Sequence, residues 1–301
     1  MSVDNAASEH GLGFVTVASG NIKYAEMAVD MALSLREQHS EPIWLVADEA
    51  SARHVNQNYP GIFDGISLIP AGYDLVRTHK FAIAEAAPCK RGIFIDADTL
   101  VLAPLDKLIA KTRGHGFVMM GAFLPPDSDR KHHGRPVRGL IREFGLERYF
   151  TNHSAAFGYE REYARSFLRE CHEVYTRRLY TLRHRLQGFV GDELAFGIVA
   201  ARRGMEPMDK PFPVLWSNEL ARLQPHDTWK PLCHFINAPA QPALDWMMDE
   251  VRRRRRERGF ALVSEQHWRQ KAARRQKSRP VKRLIARIKG LICGKELVTK
   301  H

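Results

Sequence analysis

The chain is 301 residues long, with 44% hydrophobic and 27% charged residues. Such a composition can bury a substantial core and excludes disordered, collagen-like and disulfide-miniprotein classes. Its formal charge of +12 is unevenly placed: residues 252–301 hold 18 Lys/Arg against three Asp/Glu, whereas the preceding residues hold 28 against 31, so the basicity belongs to the tail.

The polar stretch Met1 to Gly11 has no apolar core flanked by basic residues, and no later run reaches the roughly 18 apolar residues that span a bilayer. The expectation is a soluble, cytoplasmic body. Cys89, Cys171, Cys233 and Cys293 lie far apart with no C-x-x-C spacing, which predicts reduced, packed thiols.

In chain order, the β-branched run Leu12 to Ala18 predicts a buried strand, followed by a helix over Ile22 to Gln38. The unit recurs: a strand at Pro42 to Asp48 and a helix ending near Tyr59, a strand at Ile66 to Pro70 and a helix over Asp74 to Ala87, then a strand in GIFIDAD, Gly92 to Asp98. Alternation of this kind implies an α/β fold whose mostly parallel sheet is covered on both faces. Gly116 to Phe123 predicts another strand, and PPDSDRKHHGRP a loop that could act as a lid. Helices follow at Val137 to Arg148 and Glu160 to Arg185, a strand at Ser154 to Tyr159, a helix at Asp192 to Arg203 and a strand at Leu232 to Ile236. No G-x-G-x-x-G or G-x-x-x-x-G-K-[ST] loop occurs, so any nucleotide is held in another way.

The sharpest feature is Asp96-Ala97-Asp98, where a hydrophobic strand emerges into a loop. An apolar strand interior cannot ionise two carboxylates cheaply, but a strand end at the carboxyl edge of a sheet can offer them to a divalent cation. The spacing alone also occurs in ordinary turns. Lys80 reads equally as a surface helix lysine, His234 as a hydrogen-bonded core histidine, and Asp192-Glu193 as acids at a helix N-terminus. His132 and His133 read as solvated loop residues, and Asn21 and Tyr24 as cap and packing residues.

With its surroundings, FIDADTLVLAPLDKL resembles the metal-binding D-x-D segment of GT-A fold glycosyltransferases, in particular family 8, the glycogenin and bacterial lipopolysaccharide galactosyltransferase group. GFVTVASGNIKYAEMAVDMALSL resembles that family's opening strand and helix, THKFAIAEA its donor-binding lysine segment, GDELAFGIVAA its GDQ segment and CHF its histidine metal ligand. The resemblance covers roughly residues 12 to 240. It implies Mn2+ or Mg2+ on Asp96, Asp98 and His234. It also implies a nucleotide-sugar donor on Ala18 or Ser19, Asn21, Tyr24, Lys80, Asp96, Ala97 and Asp98, and a sugar-facing carboxylate at Asp192, with Glu193 second. The chain departs from the family at Glu193, which replaces the usual Gln, and after His234, where the Lys of the family's Lys-Pro-Trp is missing. Asn152 or His153 takes the place of the family's Asn-Ser-Gly entry.

In the tail, the run Arg252 to Arg256 precedes a second basic stretch. There Val281, Leu284, Ile285, Ile288, Leu291 and Ile292 fall at helical spacing among Lys282, Arg283, Arg287 and Lys289. A basic amphipathic helix of this kind lies on an anionic membrane surface, whereas nucleic-acid binding lacks interleaved aromatics beyond Trp268. The reading is thus a GT-A domain over residues 10–245 and a basic tail over 246–301 that docks on the inner face of a membrane through residues 252–292. Its activity would be hexosyl transfer to a glycolipid or surface-polysaccharide acceptor. The alternative is a non-catalytic scaffold that binds membrane or nucleic acid through the tail.

Overall fold

The computed structural model describes residues 11–181, 190–210, 213–216, 231–234 and 241–270. Strand β1 (Leu12–Ala18) leads into helix α1 (Ile22–Arg36), β2 (Ile43–Ala47) into α2 (Glu49–Asn58), and β3 (Gly65–Leu68) into a 3-10 turn (Val76–Ala82) and the single turn α3 (Ile83–Ala86). Then come β4 (Arg91–Ile95), β5 (Thr99–Val101), α4 (Asp106–Thr112) and β6 (Phe117–Leu124). The short strands β7 (Lys131–His132) and β8 (Arg135–Pro136) precede α5 (Val137–Phe144), β9 (Tyr149–Glu160) and α6 (Arg161–Glu173), which continues as a π-helical turn (Val174–Leu179). The chain closes with α7 (Asp192–Arg202), β10 (Val214–Trp216), β11 (Leu232–His234) and α8 (Gln241–Glu257), and residues 263–270 are helical.

The main sheet has the order β3-β2-β1-β4-β9-β6; only β9 runs against the rest. Its strands are apolar on both sides because helices cover both faces. Phe14, Leu45, Ile93 and Ile95 meet Val29 and Leu33 of α1, while Val15, Val46, Phe94 and Phe157 meet Phe167 of α6 and Phe196 of α7. Phe94 and Phe157 stack at 4.7 Å between ring centroids, the offset geometry aromatic pairs prefer. A second sheet, β10-β11-β5, carries the chain that follows the two aspartates.

Several elements differ from expectation. The Asp74–Ala87 helix is mostly a 3-10 turn, because the Thr78 hydroxyl takes the Leu75 carbonyl at 2.7 Å and competes with the α-helical ladder. Strand β9 begins at Tyr149 rather than Ser154 and pairs with β6 through a bulge at Met119/Met120. Helix α5 stops at Phe144 because Gly145 adopts φ 63°. The 125–136 segment is not wholly irregular, since β7 and β8 form a small hairpin. Cys89, Cys171 and Cys233 are buried thiols.

The first part of the basic tail belongs to the fold. Leu244, Met247, Met248, Val251 and Trp268 pack with Met27 of α1, Leu100 and Cys233. Arg255 is fully buried between Asp30 (2.5 Å) and Glu26 (2.8 Å), and Arg254 pairs with Glu37 and Glu250. Arg252 pairs with Glu265 and Arg253 with Glu37. Arg254 and Arg255 are turned inward onto the protein's own carboxylates, so the expected membrane contact of residues 252–292 does not extend to these two side chains. The amphipathic stretch Val281 to Ile292 lies outside the described residues. Among the described residues no helix is long and apolar enough to cross a membrane.

Candidate functional site

Asp96 and Asp98 sit in the turn between β4 and β5, at the carboxyl edge of the main sheet. The Asp96 N–H donates to the Ala155 carbonyl on β9 at 2.8 Å, which fixes where β4 ends. Strand β5 then pairs antiparallel with β11 in a register that sets His234 opposite Thr99. That pairing brings a histidine 136 residues away to the aspartates: His234 Nε2 lies 3.1 Å from Asp98 Oδ1 and 3.7 Å from Asp96 Oδ2. One ligand atom from each of the three lies within 4.8 Å of the others. Two carboxylate oxygens and one imidazole nitrogen form a donor set that fits a divalent cation, and the nitrogen suits Mn2+ better than Mg2+.

Lys80 reaches the same place from the 3-10 turn. Its Nζ lies 2.8 Å from Asp96 Oδ1 and 3.2 Å from Asp192 Oδ2, and donates to Ser154 Oγ and Ser154 O at 3.0 and 3.2 Å. Burial alone would depress the lysine, but Asp192 and Asp96 outweigh it and hold Lys80 above the ordinary lysine range, fully charged. The Ser154 hydroxyl also donates to Asp192 Oδ2 at 3.1 Å. Asp192 is placed by the first turn of α7, and α7 lies close on β9 because Gly197 has no side chain: a Cβ there would sit 2.5 Å from the Phe150 carbonyl oxygen.

Glu193, next to Asp192, points into a different environment. Its Oε1 accepts the Ser154 N–H at 3.0 Å, its Oε2 makes a short contact with His133 Nε2, and His132 Nε2 stands 3.7 Å away. Burial would raise this carboxyl, but hydrogen bonds from His132 and His133 outweigh it and hold it well below the usual carboxylate range. The histidines expected to be solvated are therefore partly buried partners of Glu193. His153 lies between the two groups, its ring 5.2 Å from that of His234 and its Nε2 3.8 Å from Glu193 Oε1; burial pushes its pKa down to about 3, so it is neutral. Asn152 donates to the Glu193 carbonyl at 2.9 Å.

At the end of β1, Ala18 is buried, and Ser19 Oγ lies 2.6 Å from His79 Nδ1. The Asn21 side chain caps α1 by accepting the Lys23 N–H at 3.0 Å, while Tyr24, in the first turn of α1, packs partly buried against the core. Ala97 is nearly buried between the aspartates. The sequence reading missed His79, Ser154 and Asp48, whose Oδ2 accepts the Gly20 N–H at 2.6 Å. Asp48 was legible as a helix N-cap after β2; the other two give no local signal.

No protein-family model matches the chain, and no curated protein matches it by sequence. Solved structures do match. The galactosyltransferase LgtC, in complex with donor and acceptor sugar analogs, superposes with a TM-score of 0.53 at 14% identity, over 80% of this chain and 94% of LgtC. An active-site mutant of LgtC matches with a TM-score of 0.51 at 17% identity, over 76% and 89% of the two chains. The bifunctional glycosyltransferase WbbM in its apo form matches with a TM-score of 0.52 at 12% identity, over 82% of this chain and 50% of WbbM. The chain has the GT-A fold that the sequence resemblance implied.

Proposed function

We propose that this protein is a divalent-metal-dependent glycosyltransferase that moves a hexose from a UDP-sugar to a carbohydrate or lipid-linked acceptor, with retention of the anomeric configuration. The observation that carries this reading is the convergence of Asp96, Asp98 and His234 beside Lys80 and Asp192. LgtC, which shares the fold, was solved with donor and acceptor sugar analogs, and that supports sugar substrates here. Asp96, Asp98 and His234 would hold the divalent ion, which would supply Lewis-acid stabilisation to the leaving diphosphate. Lys80 adds a fixed positive charge next to the same oxygens. Asp192, anchored by Lys80 and Ser154, is the carboxylate that faces the sugar and stabilises positive charge developing at its anomeric carbon. Ser19, Asn21 and Tyr24, at the end of β1 and the start of α1, line the nucleoside side. We further infer that the basic stretch after residue 270 holds the enzyme peripherally on the inner face of a membrane, beside a lipid-linked acceptor.

Calorimetric titration with UDP, GDP and CMP, with and without Mn2+, tests the donor class. Binding of UDP that requires Mn2+ and is lost in Asp98→Asn is expected. If no nucleotide binds under any condition, the reading fails.

A further inference from the structure

A second group of potential ligands stands apart from Asp96, Asp98 and His234. One ring nitrogen from each of His132 and His133 and one Glu193 oxygen lie within 4.8 Å of one another. They come from two elements distant in sequence, the β7–β8 hairpin and the first turn of α7. The hairpin turns through His133 at φ 47°, the left-handed region that only a few per cent of non-glycine residues occupy. That turn brings two consecutive imidazoles onto one carboxylate, with ring centroids 4.7 Å apart.

The surroundings match those of a ligand set. His132 Nδ1 lies 2.8 Å from the buried Tyr149 hydroxyl, whereas its Nε2 lies 3.3 Å from the Asn152 carbonyl. Both groups that face Nε2, the Asn152 carbonyl and Glu193 Oε2, are acceptors, so without an ion Nε2 carries the proton; an ion bound at Nε2 would displace that proton to solvent, the ring then keeping its proton on Nδ1 and donating to the Tyr149 hydroxyl. Glu193 Oε1 is occupied by the Ser154 N–H, so Oε2 is the oxygen turned to the histidines. A ligating imidazole whose other nitrogen is hydrogen-bonded, and a ligating carboxylate whose other oxygen is hydrogen-bonded, are what holds first ligands in place at metal centres. Two imidazoles and one carboxylate suit Zn2+ rather than a hard cation such as Mg2+.

We propose that His132, His133 and Glu193 form a second metal site, for Zn2+ or a similar transition ion, that ties the β7–β8 hairpin to the N-terminal turn of α7. The tie holds the hairpin against β9 and the first turn of α7 and fixes Asp192 through its neighbour. It also accounts for a glutamate at this position, since glutamine offers a neutral, weaker oxygen donor.

The test uses full-length protein stripped with a chelator and titrated with Zn2+ alone, by calorimetry and thermal unfolding. Asp96→Asn/Asp98→Asn removes the first ligand set, so one equivalent of Zn2+ that still binds this variant and raises its Tm is the expected result. Adding Glu193→Gln or His132→Ala should weaken that binding by about 100-fold or more, and Tyr149→Phe by about tenfold. Absence of Zn2+ binding in the Asp96→Asn/Asp98→Asn protein, or binding undiminished by both cluster substitutions, overturns the proposal. Should the cluster variants fail to fold, histidine modification by diethyl pyrocarbonate decides in the Asp96→Asn/Asp98→Asn background. Protection of His132 and His133 by Zn2+ supports the site, and unchanged reactivity refutes it.

Discussion

Replacing Arg255 by Met should destabilise the protein more than any other change in the basic tail. The guanidinium donates five hydrogen bonds: to Asp30 Oδ1 (2.5 Å), Glu26 Oε2 (2.8 Å), the Glu26 carbonyl (3.1 Å), the Tyr59 hydroxyl (3.0 Å) and the Ala261 carbonyl (2.7 Å). Its side chain is 0% exposed and those of Asp30 and Glu26 are 1% exposed. Methionine fills much of the volume but leaves two carboxylates buried without their cation, and breaking a buried pair in this way costs about 3–5 kcal/mol. Asp30 is already held above its ordinary pKa by burial, although Arg255 and Trp268 oppose that rise, so losing the arginine pushes it further toward the protonated form. Urea unfolding at neutral pH measures the loss, and thermal unfolding should show a Tm lower by about 6–20 °C. Adding Asp30→Asn to Arg255→Met should recover more than about 1 kcal/mol, because one uncompensated charge is then gone. A loss below about 1 kcal/mol for Arg255→Met would mean that residues 252–256 are a solvated basic run, as the composition suggests, and that the packing of α8 on α1 is not a stabilising part of the fold.

Gly197→Ala should cost about 1–3 kcal/mol by urea unfolding, since its Cβ meets the Phe150 carbonyl and the Tyr149 ring; it should also lower transferase turnover by shifting Asp192, and an unaffected Tm would refute the close packing. Lys80→Met should lower kcat by about 10²–10³ while the fold is retained, because the fixed charge between Asp96 and Asp192 is lost; turnover within tenfold of the parent would remove Lys80 from the site. Glu37 is held below the ordinary glutamate pKa: burial alone would raise it, but the Arg254 and Arg253 hydrogen bonds win. Its contribution is therefore present above about pH 4.3 and lost as pH falls through the lowered value. Glu37→Gln should then be less stable by about 0.5–1 kcal/mol at neutral pH, a partly exposed pair being screened, and should match the parent near pH 2; a gap that does not change with pH would exclude this pair as its source.

The parallel strands β1, β2 and β4 were legible because each is a short apolar run bounded by turn residues, and both faces of the sheet are covered, as LGFVTVA and GIFID illustrate. The C-terminal half was less so. Thr99-Leu100-Val101 and Val214-Leu215-Trp216 are three-residue strands that exist only because they pair with β11, and three residues carry no period. The arginine run misled for a related reason. An amphipathic face is visible when apolar residues mark it, but α8 turns Arg254 and Arg255 inward, and their partners Glu26, Asp30 and Glu37 are more than 200 residues away in the sequence. Charge counts place such a segment on the surface because lone buried arginines are rare; they are blind to a pair of acids waiting on α1.

The site divides along the same line. Asp96 and Asp98 announce themselves, since two acids at the end of an apolar strand conflict with their surroundings, and such local conflicts gather at functional positions. His234 gains meaning only through the β5–β11 register, and Ser154 only because β9 runs against β4 beside the aspartates. For His132 and His133 the polar sequence around them argued for solvent, yet the hairpin that carries them exists to bend one histidine into the left-handed region and bring both onto Glu193. What the sequence hides is thus the layer that holds the acids in position rather than the acids themselves. Asp192 illustrates the dependence: its carboxylate is held by Lys80 and Ser154 on one side, while its neighbour Glu193 is gripped by the hairpin on the other. Loosening either grip should shift the first turn of α7 and with it the Asp192 carboxylate.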